Sequence, residues 1–584
     1  MIYQVTSSLS TFKPVRFHPG LNLIVAEKSE GATSRQTRNG SGKSSLVRII
    51  DFLLGSKCDP DSIFRSASLS EQQFSTVFDL RGTRTTVTRG GETSSRIIVD
   101  GNFSDWPVQP KLDRQSGEYR IGNTDWRTVL GSLIFGLPDD IESYGPTFRS
   151  MISYFVRRES SGGFQEAQKQ SSQQQNWDVQ VNLSCLFGLD WEIPHALQKV
   201  RQKEKSLLAL KKEAKSGTLG DLIGNVGELR TRLAVAERET NKLKKELSEF
   251  QVLPEYHELE QEASCLAVRI SELTSDNTLD LERIDSLSRQ LEEEQPPEDS
   301  QITELYKEIG IVLPDLVRKR LQDVREFHAA IIRNRRIHLQ DEVDDARSAI
   351  ERRKVEMEQA DTRRHEIMHT LDSHGALDQY SKLQEELSRQ QATVEERKKK
   401  VALAKQLDSE STELTIERAQ IKKRLTADLD EKSDLLDNSI LIFEEFSKRI
   451  SDHEGSLVVD PKDNGPEFSV NVEGKESKGI RNMQIFCFDM TLAVLWSKRD
   501  SGGPGFLIHD SHLFDGMDSR QVAKAIEIGA EQAKHSGFQY IICINSDQLD
   551  AAEFTNGFDP FRYRNPVEIT DATEDGGIFG MRIR

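Results

Sequence analysis

The sequence has little cysteine and no long apolar stretch. Its five cysteines are scattered and form no C-x-x-C pair, which excludes a zinc ribbon and a disulfide framework. No run approaches the ~18 apolar residues that span a bilayer, and the first residues lack the charged and apolar regions of a signal peptide. The net charge of −18 argues against a surface that binds nucleic acid all over. We therefore expect a soluble cytoplasmic protein with no membrane contact.

Proline is missing from most of two long windows. None lies between Pro314 and Pro461, and between Pro194 and Pro296 only Pro254 interrupts. Because proline breaks helix interiors, both windows can form long helices, with a bend expected near Pro254. Apolar residues there recur at alternating steps of four and three, the a/d pattern of a coiled coil. The seam positions are Leu222, Val226, Leu229, Leu233, Ala236, Thr240, Leu243, Leu247 and Phe250, and downstream, at steps of seven, Tyr380, Leu387, Val394 and Val401.

The two ends of the chain differ from this middle region. They contain short strand-like runs punctuated by Gly and Ser, such as "LNLIVA" and "STVFDL" near the start and "GFLIHD" and "YIICIN" near the end. We predict that residues 1–190 and 451–584 are two halves of one α/β head. Residues 191–450 would form an antiparallel coiled-coil hairpin inserted between them, with its tip near residues 295–320. Such a hairpin returns the chain to its start and brings the two halves together.

The stretch "TSRQTRNGSGKSSLVRII", residues 33–50, contains most of a phosphate-binding loop but lacks its first glycine. The general pattern is G-x-x-x-x-G-K-[S/T], and Thr37 stands where the first glycine belongs. A strand-like run precedes the stretch and helical spacing follows it, as a P-loop requires, and the longer loop offers another route out of the strand. We expect Lys43 to bind the β- and γ-phosphates of ATP and Ser44 to ligate Mg²⁺. The alternative is a turn that only caps a helix. The nucleotide-binding candidates in this stretch are Asn39, Gly40, Ser41, Gly42, Lys43, Ser44 and Ser45.

A second metal-binding candidate lies in "GGPGFLIHDSHLFDG". Phe506 to Ile508 form an apolar run that predicts a buried strand, and Asp510 follows it. A carboxylate at the carboxyl end of a strand suits Mg²⁺. The alternative is a plain strand that ends in a turn, which would have the same sequence pattern. Paired with the phosphate-binding loop, the metal-binding reading is favoured, with Ser44 and Asp510 as ligands.

The order of these motifs resembles that of the SMC/RecN-type ABC ATPases over essentially the whole chain. The resemblance is carried by "NGSGKS", the coiled-coil hairpin, "ESKGIRNMQIFCFDM" and "FLIHDSHLFDG". More narrowly, "FHAAIIRNRRIHLQDE" and H-D-S-x-L-F-D-G are similar to a bacterial subgroup associated with three-component ABC conflict and defence systems. The resemblance implies an α/β P-loop (ABC-type) head built from both termini. It also implies a small companion protein and an effector protein as partners.

The resemblance assigns further residues to the site. Ser477 and Gly479 would be the signature motif that contacts ATP on the opposite protomer of a homodimer, although here it reads E-S-K-G-I rather than L-S-G-G-Q, and a plain turn before a helix is the alternative. Asn545 stands where the switch histidine normally lies; it can hydrogen-bond a phosphate but cannot titrate near neutrality. "GPTFRSMISYFVRR" and Gln165 are both candidates for the Q-loop.

In these ATPases a glutamate that polarises the attacking water normally follows the strand-end aspartate. Here Ser511 follows, and a serine cannot act as that base. His512 and Asp515 are the nearby substitutes, and either could be a simple loop residue. We therefore expect ATP hydrolysis that is slow until stimulated, with Lys43, Asp510, His512 and Asp515 as the catalytic candidates.

One arm segment, residues 317–339, is basic within an acidic protein. It could bind the DNA backbone or an acidic partner, or it could be solvated or paired with the facing helix. Its seven cations stand against Asp323 and Glu326 only. The cations are Arg318, Lys319, Arg320, Arg325, Arg333, Arg335 and Arg336.

These expectations combine into an ATP-dependent switch. Two heads would dimerise around ATP and Mg²⁺ and thereby change the geometry of the arm. This change would control an effector in an antiphage or anti-plasmid defence complex, and DNA would be bound by the arm or the heads. A RecN-like DNA-repair ATPase and a nucleotide-gated scaffold with little hydrolysis are the alternatives, and a purely structural coiled-coil protein is the plainest one.

Overall fold

A computed structural model describes most of the chain, in two compact units. The described residues are 1–27, 42–216, 226–249, 254–293, 315–371, 377–451, 455–471, 477–499, 503–555 and 557–583. We call the unit formed by Met1–Arg201, Leu313–Arg320 and Glu417–Arg584 the head unit, and the unit formed by Gln202–Val312 and Leu321–Ile416 the arm unit. None of the described helices is long and apolar enough to cross a bilayer.

The strands all belong to the head unit and the helices to both units. The described strands are β1 Ile2–Ser7, β2 Val15–Arg16, β3 Gly20–Glu27, β4 Gln73–Leu80, β5 Thr83–Gly90, β6 Arg96–Asp100, β7 Lys111–Asp113, β8 Glu118–Gly122, β9 Ser456–Lys462, β10 Gly465–Asn471, β11 Phe506–His509, β12 Gln539–Asn545 and β13 Ile569–Thr570. The described helices are α1 Lys43–Leu53, α2 Asn123–Phe135, α3 Phe148–Ile152, α4 Asn176–Phe187, α5 Glu192–Ser216, α6 Val226–Ser248, α7 Pro254–Glu293, α8 Asp315–Leu371, α9 Leu377–Glu431, α10 Ser433–Ser451, α11 Lys478–Ser497, α12 Ser519–Ser536 and α13 Ser546–Asp550.

A parallel sheet forms the centre of the head, in the order β11-β12-β3-β13. Its strands are almost continuously apolar and buried, as expected for a parallel sheet covered on both faces. The register runs from Gln539 opposite Gly20 to Asn545 opposite Ala26. Because β3 comes from the N-terminal part and its neighbours from the C-terminal part, both termini build one sheet. The prediction of an α/β head made from both ends is confirmed.

A second sheet of seven strands belongs entirely to the N-terminal part, in the order β2-β1-β4-β5-β6-β8-β7. It is antiparallel throughout. In β4, buried and half-buried residues alternate, because successive side chains of a strand point to opposite faces. One face of this sheet therefore packs on the core, where α1 contacts β4 and β5.

The arm unit is built from helices that pair in antiparallel register. Leu229 of α6 packs with Val401 and Ala404 of α9, and the predicted seam residues Ala236 and Val394 are also buried. Farther along, α7 pairs with α8 in the same sense: Ala263 with Ile367, then Leu287 with Leu339 and Val343. From the first pair to the last, the residue numbers rise along α6 and α7 and fall by nearly the same amount along α9 and α8. This is the register of a single coiled-coil hairpin.

Ion pairs reinforce the α7–α8 part of the hairpin. Four arginine–carboxylate pairs cross between these helices at spaced positions, which supports the antiparallel register. They are Arg363 with Glu262 at 2.9 Å, Arg269 with Glu356 at 2.7 Å, Arg353 with Asp280 at 2.5 Å and Arg283 with Glu342 at 3.1 Å.

The hairpin is also folded back on itself. The Ser271 hydroxyl of α7 donates to the backbone oxygen of Ser388 in α9 at 3.4 Å, and Lys399 of α9 pairs with Asp276 of α7. Here the two numbers rise together, so α7 and α9 run parallel. The described part of α6 ends at Ser248, opposite the start of α9. Pro254, near which a bend is expected, begins α7, and residues 250–253 lie outside the described residues.

Candidate functional site

The N-terminus of α1 follows β3 at the edge of the parallel sheet. Gly42 precedes the helix with φ +84°, and a Cβ there would lie 2.6 Å from Ile578 Cγ2, so only glycine fits. Lys43 is buried in the first turn, while Ser44 and Ser45 are half-buried. The remaining candidates of the phosphate-binding loop, Asn39, Gly40 and Ser41, lie outside the described residues.

Lys43 meets the end of β12 across the sheet edge. Its Nζ donates to Asn545 Oδ1 at 2.5 Å, although 502 positions separate the two residues in the sequence. Carboxyl ends of parallel strands meet at one edge, which is where ligands bind in open α/β sheets. An ammonium and an amide held together there can both face the same phosphate group.

Asp510 lies directly after β11 at the same edge and is 3% exposed. Its Oδ1 accepts a hydrogen bond from the backbone N–H of Ser511 at 2.7 Å, and the Ser44 hydroxyl lies near enough to lower the pKa of this carboxyl group. Burial alone would raise the pKa of Asp510, but hydrogen bonds from His512, Ser44 and Ser511 outweigh it and hold the pKa below its usual range. Asp510 is therefore a carboxylate at neutral pH.

Ser44 and Asp510 have the chemistry of a magnesium site. Mg²⁺ takes oxygen ligands and is typically bound by one or two protein groups together with phosphates and water. A serine hydroxyl in contact with an ionised carboxylate, beside a buried lysine, fits such an ion. The structure thus brings together the two residues that the sequence assigns to the metal.

The two candidates for a general base occupy different surroundings. His512 is partly exposed, and its Nδ1 lies 3.4 Å from Asp510 Oδ2. That hydrogen bond is the largest cause that raises the pKa of His512, opposed by burial and assisted by Glu159 and Asp515. The carboxylate of Asp515 instead pairs with Lys478 Nζ at 3.1 Å and accepts a long hydrogen bond, 3.4 Å, from Gln548. Both carboxylate oxygens of Asp515 thus already have partners.

The start of α11 packs against the loop that carries Asp510. Ser477 precedes the helix and is exposed, whereas Gly479 is buried. A Cβ on Gly479 would lie 2.1 Å from the carbonyl oxygen of Gly516, so the backbones touch at this point. Buried Asn482 donates to the carbonyl oxygens of His512 and Asp515, at 2.9 Å each. Within one chain, Gly479 serves close packing, and Ser477 is the accessible member of the pair.

Sequence reasoning missed a buried ion pair behind this edge. Arg157 and Asp489 are fully buried and form two hydrogen bonds of 2.6 and 2.7 Å. The remaining N–H groups of Arg157 donate to the carbonyl oxygens of Gly163, Ala167 and Lys169. The pair therefore fastens the 157–169 loop to α11. The only signal in the sequence was the double arginine of "YFVRRES", and the actual partner of Arg157 lies 332 positions away.

A second ion-pair cluster joins the same loop to α1. Asp51 of α1 is buried and pairs with Arg158 at 2.8 Å and with Arg149. Burial alone would raise the pKa of Asp51, but the two arginines lower it below the usual range. Gln165, one of the two Q-loop candidates, lies within this loop, while Val156 of the other runs beside β11.

These features define a class of protein. A strand, a glycine-capped helix start, a buried lysine and a strand-end aspartate beside a serine hydroxyl are the parts that the phosphate- and metal-binding edge of a P-loop nucleotide-binding head requires. Residues 8–316, more than half of the chain, match an AAA-domain family, and the chain belongs to that family. Residues 446–583 match an uncharacterised protein conserved in bacteria (DUF2326), and residues 282–397 match C-terminal domain 10 of the ABC-three component (ABC-3C) systems. No curated protein has significant sequence similarity to the chain.

Two solved structures are also similar to the chain. One is the Smc head domain with a coiled coil and joint derived from Pyrococcus yayanosii, with 15% identity over 94% of this chain and 93% of that one, at a TM-score of 0.37. The other is the Smc head domain with an extended coiled coil bound to the C-terminal domain of ScpA, derived from Pyrococcus furiosus, with 11% identity over 94% and 91% of the two chains, at a TM-score of 0.35. At TM-scores this low, the likeness does not fix the arrangement of the domains.

The family matches confirm the resemblance found in the sequence. The chain belongs to the AAA-domain family, and part of its coiled-coil arm matches a C-terminal domain of the ABC-three component systems, as the resemblance implies. Membership of the AAA-domain family implies use of a nucleotide, typically with Mg²⁺. The basic segment 317–339 lies on α8, but nearly all of its side chains are outside the described residues.

Proposed function

We propose that the protein is an ATP-dependent switch in a multi-component bacterial defence complex. The observation that carries this proposal is the convergence of Lys43, Ser44, Asp510 and Asn545 at one sheet edge. The first two residues come from the N-terminal part of the head and the last two from the C-terminal part. A nucleotide bound at this edge would contact both parts of the head at once.

The chemistry follows from the donor set. Lys43 would bind the β- and γ-phosphates, and Asn545 would hydrogen-bond the γ-phosphate or the attacking water. Ser44 and Asp510 would hold Mg²⁺, which neutralises the charge that develops on the phosphates. In a dimer of heads, the exposed Ser477 would contact the nucleotide of the partner.

Ser511 limits the hydrolytic step in this proposal. It is buried and its Oγ lies 3.3 Å from Asp510 Oδ1, so it lies beside the metal ligand but cannot accept a proton as a carboxylate would. We therefore expect turnover to be slow until a partner stimulates it. A scaffold that binds ATP and hardly hydrolyses it is the second candidate, and the same residue favours it.

The match of residues 282–397 to an ABC-three component domain favours a defence complex over a RecN-like repair role. In such a complex a small companion protein and an effector would be the partners, and the arm would transmit the state of the heads to them. DNA is a further candidate ligand, at the basic segment 317–339 or on the heads.

The test is ATP-dependent dimerisation and phosphate release by the full chain. Wild type should dimerise in ATP and Mg²⁺, and Lys43→Ala should weaken ATP binding about tenfold or more, since a hydrogen bond to a charged group contributes ~1.5–3 kcal/mol. Lys111→Ala, at an exposed position on β7, is the matched control. A wild type that stays monomeric in ATP refutes the switch. If wild type dimerises in ATP, but neither wild type nor Lys43→Ala releases phosphate with or without DNA, the result supports the scaffold that binds ATP without hydrolysing it.

A further inference from the structure

The site needs a carboxylate that residues 510–516 do not supply. Ser511 cannot act as a base, and His512 is hydrogen-bonded to Asp510. The carboxylate of Asp515 is already bound by Lys478 and Gln548. A carboxylate that polarises the attacking water could instead be supplied by another segment at the same edge of the sheet.

The segment next to β11 reaches that edge. Ile508 donates its backbone N–H to the carbonyl oxygen of Phe155 at 2.8 Å, and Val156 pairs with Ile508 in a parallel bridge. Arg158 lies two residues after Val156, and Asp510 lies two residues after Ile508, so the parallel bridge brings both to the same edge. Glu159 follows immediately and begins a short 3₁₀ helix, Glu159–Ser161.

The residues before Glu159 are fixed from two sides. Arg157 is fully buried against Asp489, and Arg158 pairs with Asp51 of α1 at 2.8 Å. A neighbour held in this way limits the positions that the next side chain can take, which is the pre-organisation that a catalytic group requires.

The Glu159 side chain is available for such a role. It is exposed, and its carboxylate has no hydrogen bond or ion pair to any residue within the described ranges. Glu159 is thus a carboxylate on the metal-ligand side of the head that is not engaged in holding the fold together.

We propose that Glu159 is the general base of ATP hydrolysis, in place of the carboxylate missing at position 511. Glu159 accepts a proton from water as the water oxygen bonds to the γ-phosphorus. The bond from that phosphorus to the β–γ bridging oxygen breaks, and its electron pair leaves with ADP. The proton then passes from Glu159 to solvent, which regenerates the carboxylate. This assignment rests on the ATPase function proposed above.

The test compares Glu159→Gln with Glu166→Gln in the full chain. Glu166 belongs to the same loop, but its carboxylate pairs with Lys169, so it is a matched control. Glu159→Gln should lower kcat for phosphate release about 100-fold or more, the usual contribution of a general base, with ATP affinity within about threefold of wild type. It should also accumulate the ATP-bound dimer, whereas Glu166→Gln should behave as wild type. Adding Ser511→Glu to Glu159→Gln should restore part of the turnover.

The outcomes separate the two proposals. A wild type with neither ATP-dependent dimerisation nor phosphate release contradicts the proposed function. A wild type that hydrolyses ATP, together with Glu159→Gln at the same rate and affinity, contradicts the assignment of Glu159 alone. Equal losses in both glutamine variants would also overturn it, because they would show a general effect on the loop.

Discussion

Removing Asp489 should destabilise the head more than any exposed ion pair could. Arg157 uses all five guanidinium N–H groups, two on Asp489 and the rest on backbone carbonyl oxygens of the 157–169 loop. His509 also contacts Asp489, at 3.2 Å, but burial lowers the pKa of His509, so the imidazole is neutral and Arg157 is the cation that Asp489 balances. Asp489→Ala therefore leaves a buried cation without an anion.

The expected loss in the free energy of unfolding is about 3–5 kcal/mol, the cost of breaking a buried pair by removing one partner. The exposed pair between Arg449 and Glu531 serves as the comparison, since its side chains are 33% and 56% exposed. Glu531→Ala should cost less than about 1 kcal/mol. With a urea m-value of about 3 kcal/mol/M, Asp489→Ala should lower the unfolding midpoint by about 1–1.7 M.

Tryptophan fluorescence during urea unfolding is the appropriate assay. All five tryptophans of the chain lie in the head unit, so their signal reports on the head and not on the arm. They are Trp106, Trp126, Trp177, Trp191 and Trp496. Equal midpoint shifts for Asp489→Ala and Glu531→Ala would refute the reasoning. So would full recovery in the double variant Arg157→Met/Asp489→Ala, because the loop carbonyl oxygens would still lack donors, at about 1–3 kcal/mol each.

Three further predictions test other parts of the molecule. Asp51→Asn should lower the stability of the head above about pH 4, because the depressed pKa of Asp51 keeps it ionised and its ion pairs stabilising there. Below that pH the wild-type carboxylate is progressively protonated and loses its ion pairs, so the variant and wild type should converge. Urea midpoints from pH 8 to pH 3.5 measure this. Gly479→Ala should cost about 1–3 kcal/mol and impair ATP-dependent dimerisation, while Gly131→Ala, where the new methyl meets only ordinary contacts, should be neutral or stabilising. Ala236→Glu should lower the thermal midpoint of arm helicity by circular dichroism, since Ala236 is 1% exposed, whereas its neighbour Val235, 49% exposed, should tolerate glutamate.

Local patterns in the sequence were sufficient to predict the head. The apolar runs before Asp510 and Asn545 predict buried strands because a parallel sheet covered on both faces must be apolar throughout. Lys43 and Ser44 follow a fixed motif whose geometry is set by a few adjacent residues. These parts could be predicted because each is specified by residues close together in the chain.

The ion pairs behind the site could not be predicted in the same way. Arg157 and Asp489 are 332 positions apart, and nothing in either local sequence indicates the partner. The packing role of Gly479 was also hidden: the motif predicts contact with a second protomer, and it gives no sign of the close approach to the Gly516 backbone. In the arm, a heptad seam specifies which helices pair, but the contacts that fold the hairpin back, such as Lys399 with Asp276, lie outside the seam.

The loop from Asp510 to Gly516 connects binding to the proposed switch. It carries the metal ligand at one end and the backbone contact with Gly479 at the other, and Asn482 holds its carbonyl oxygens to α11. A displacement of Asp510 would therefore be passed to the start of α11, where the exposed Ser477 lies. Because the same edge joins both parts of the head, bound ATP would stabilise their association by about 2.7 kcal/mol at a hundredfold excess over Kd. Binding alone could thus hold the switch closed, and a slow hydrolytic step would set how long it stays closed.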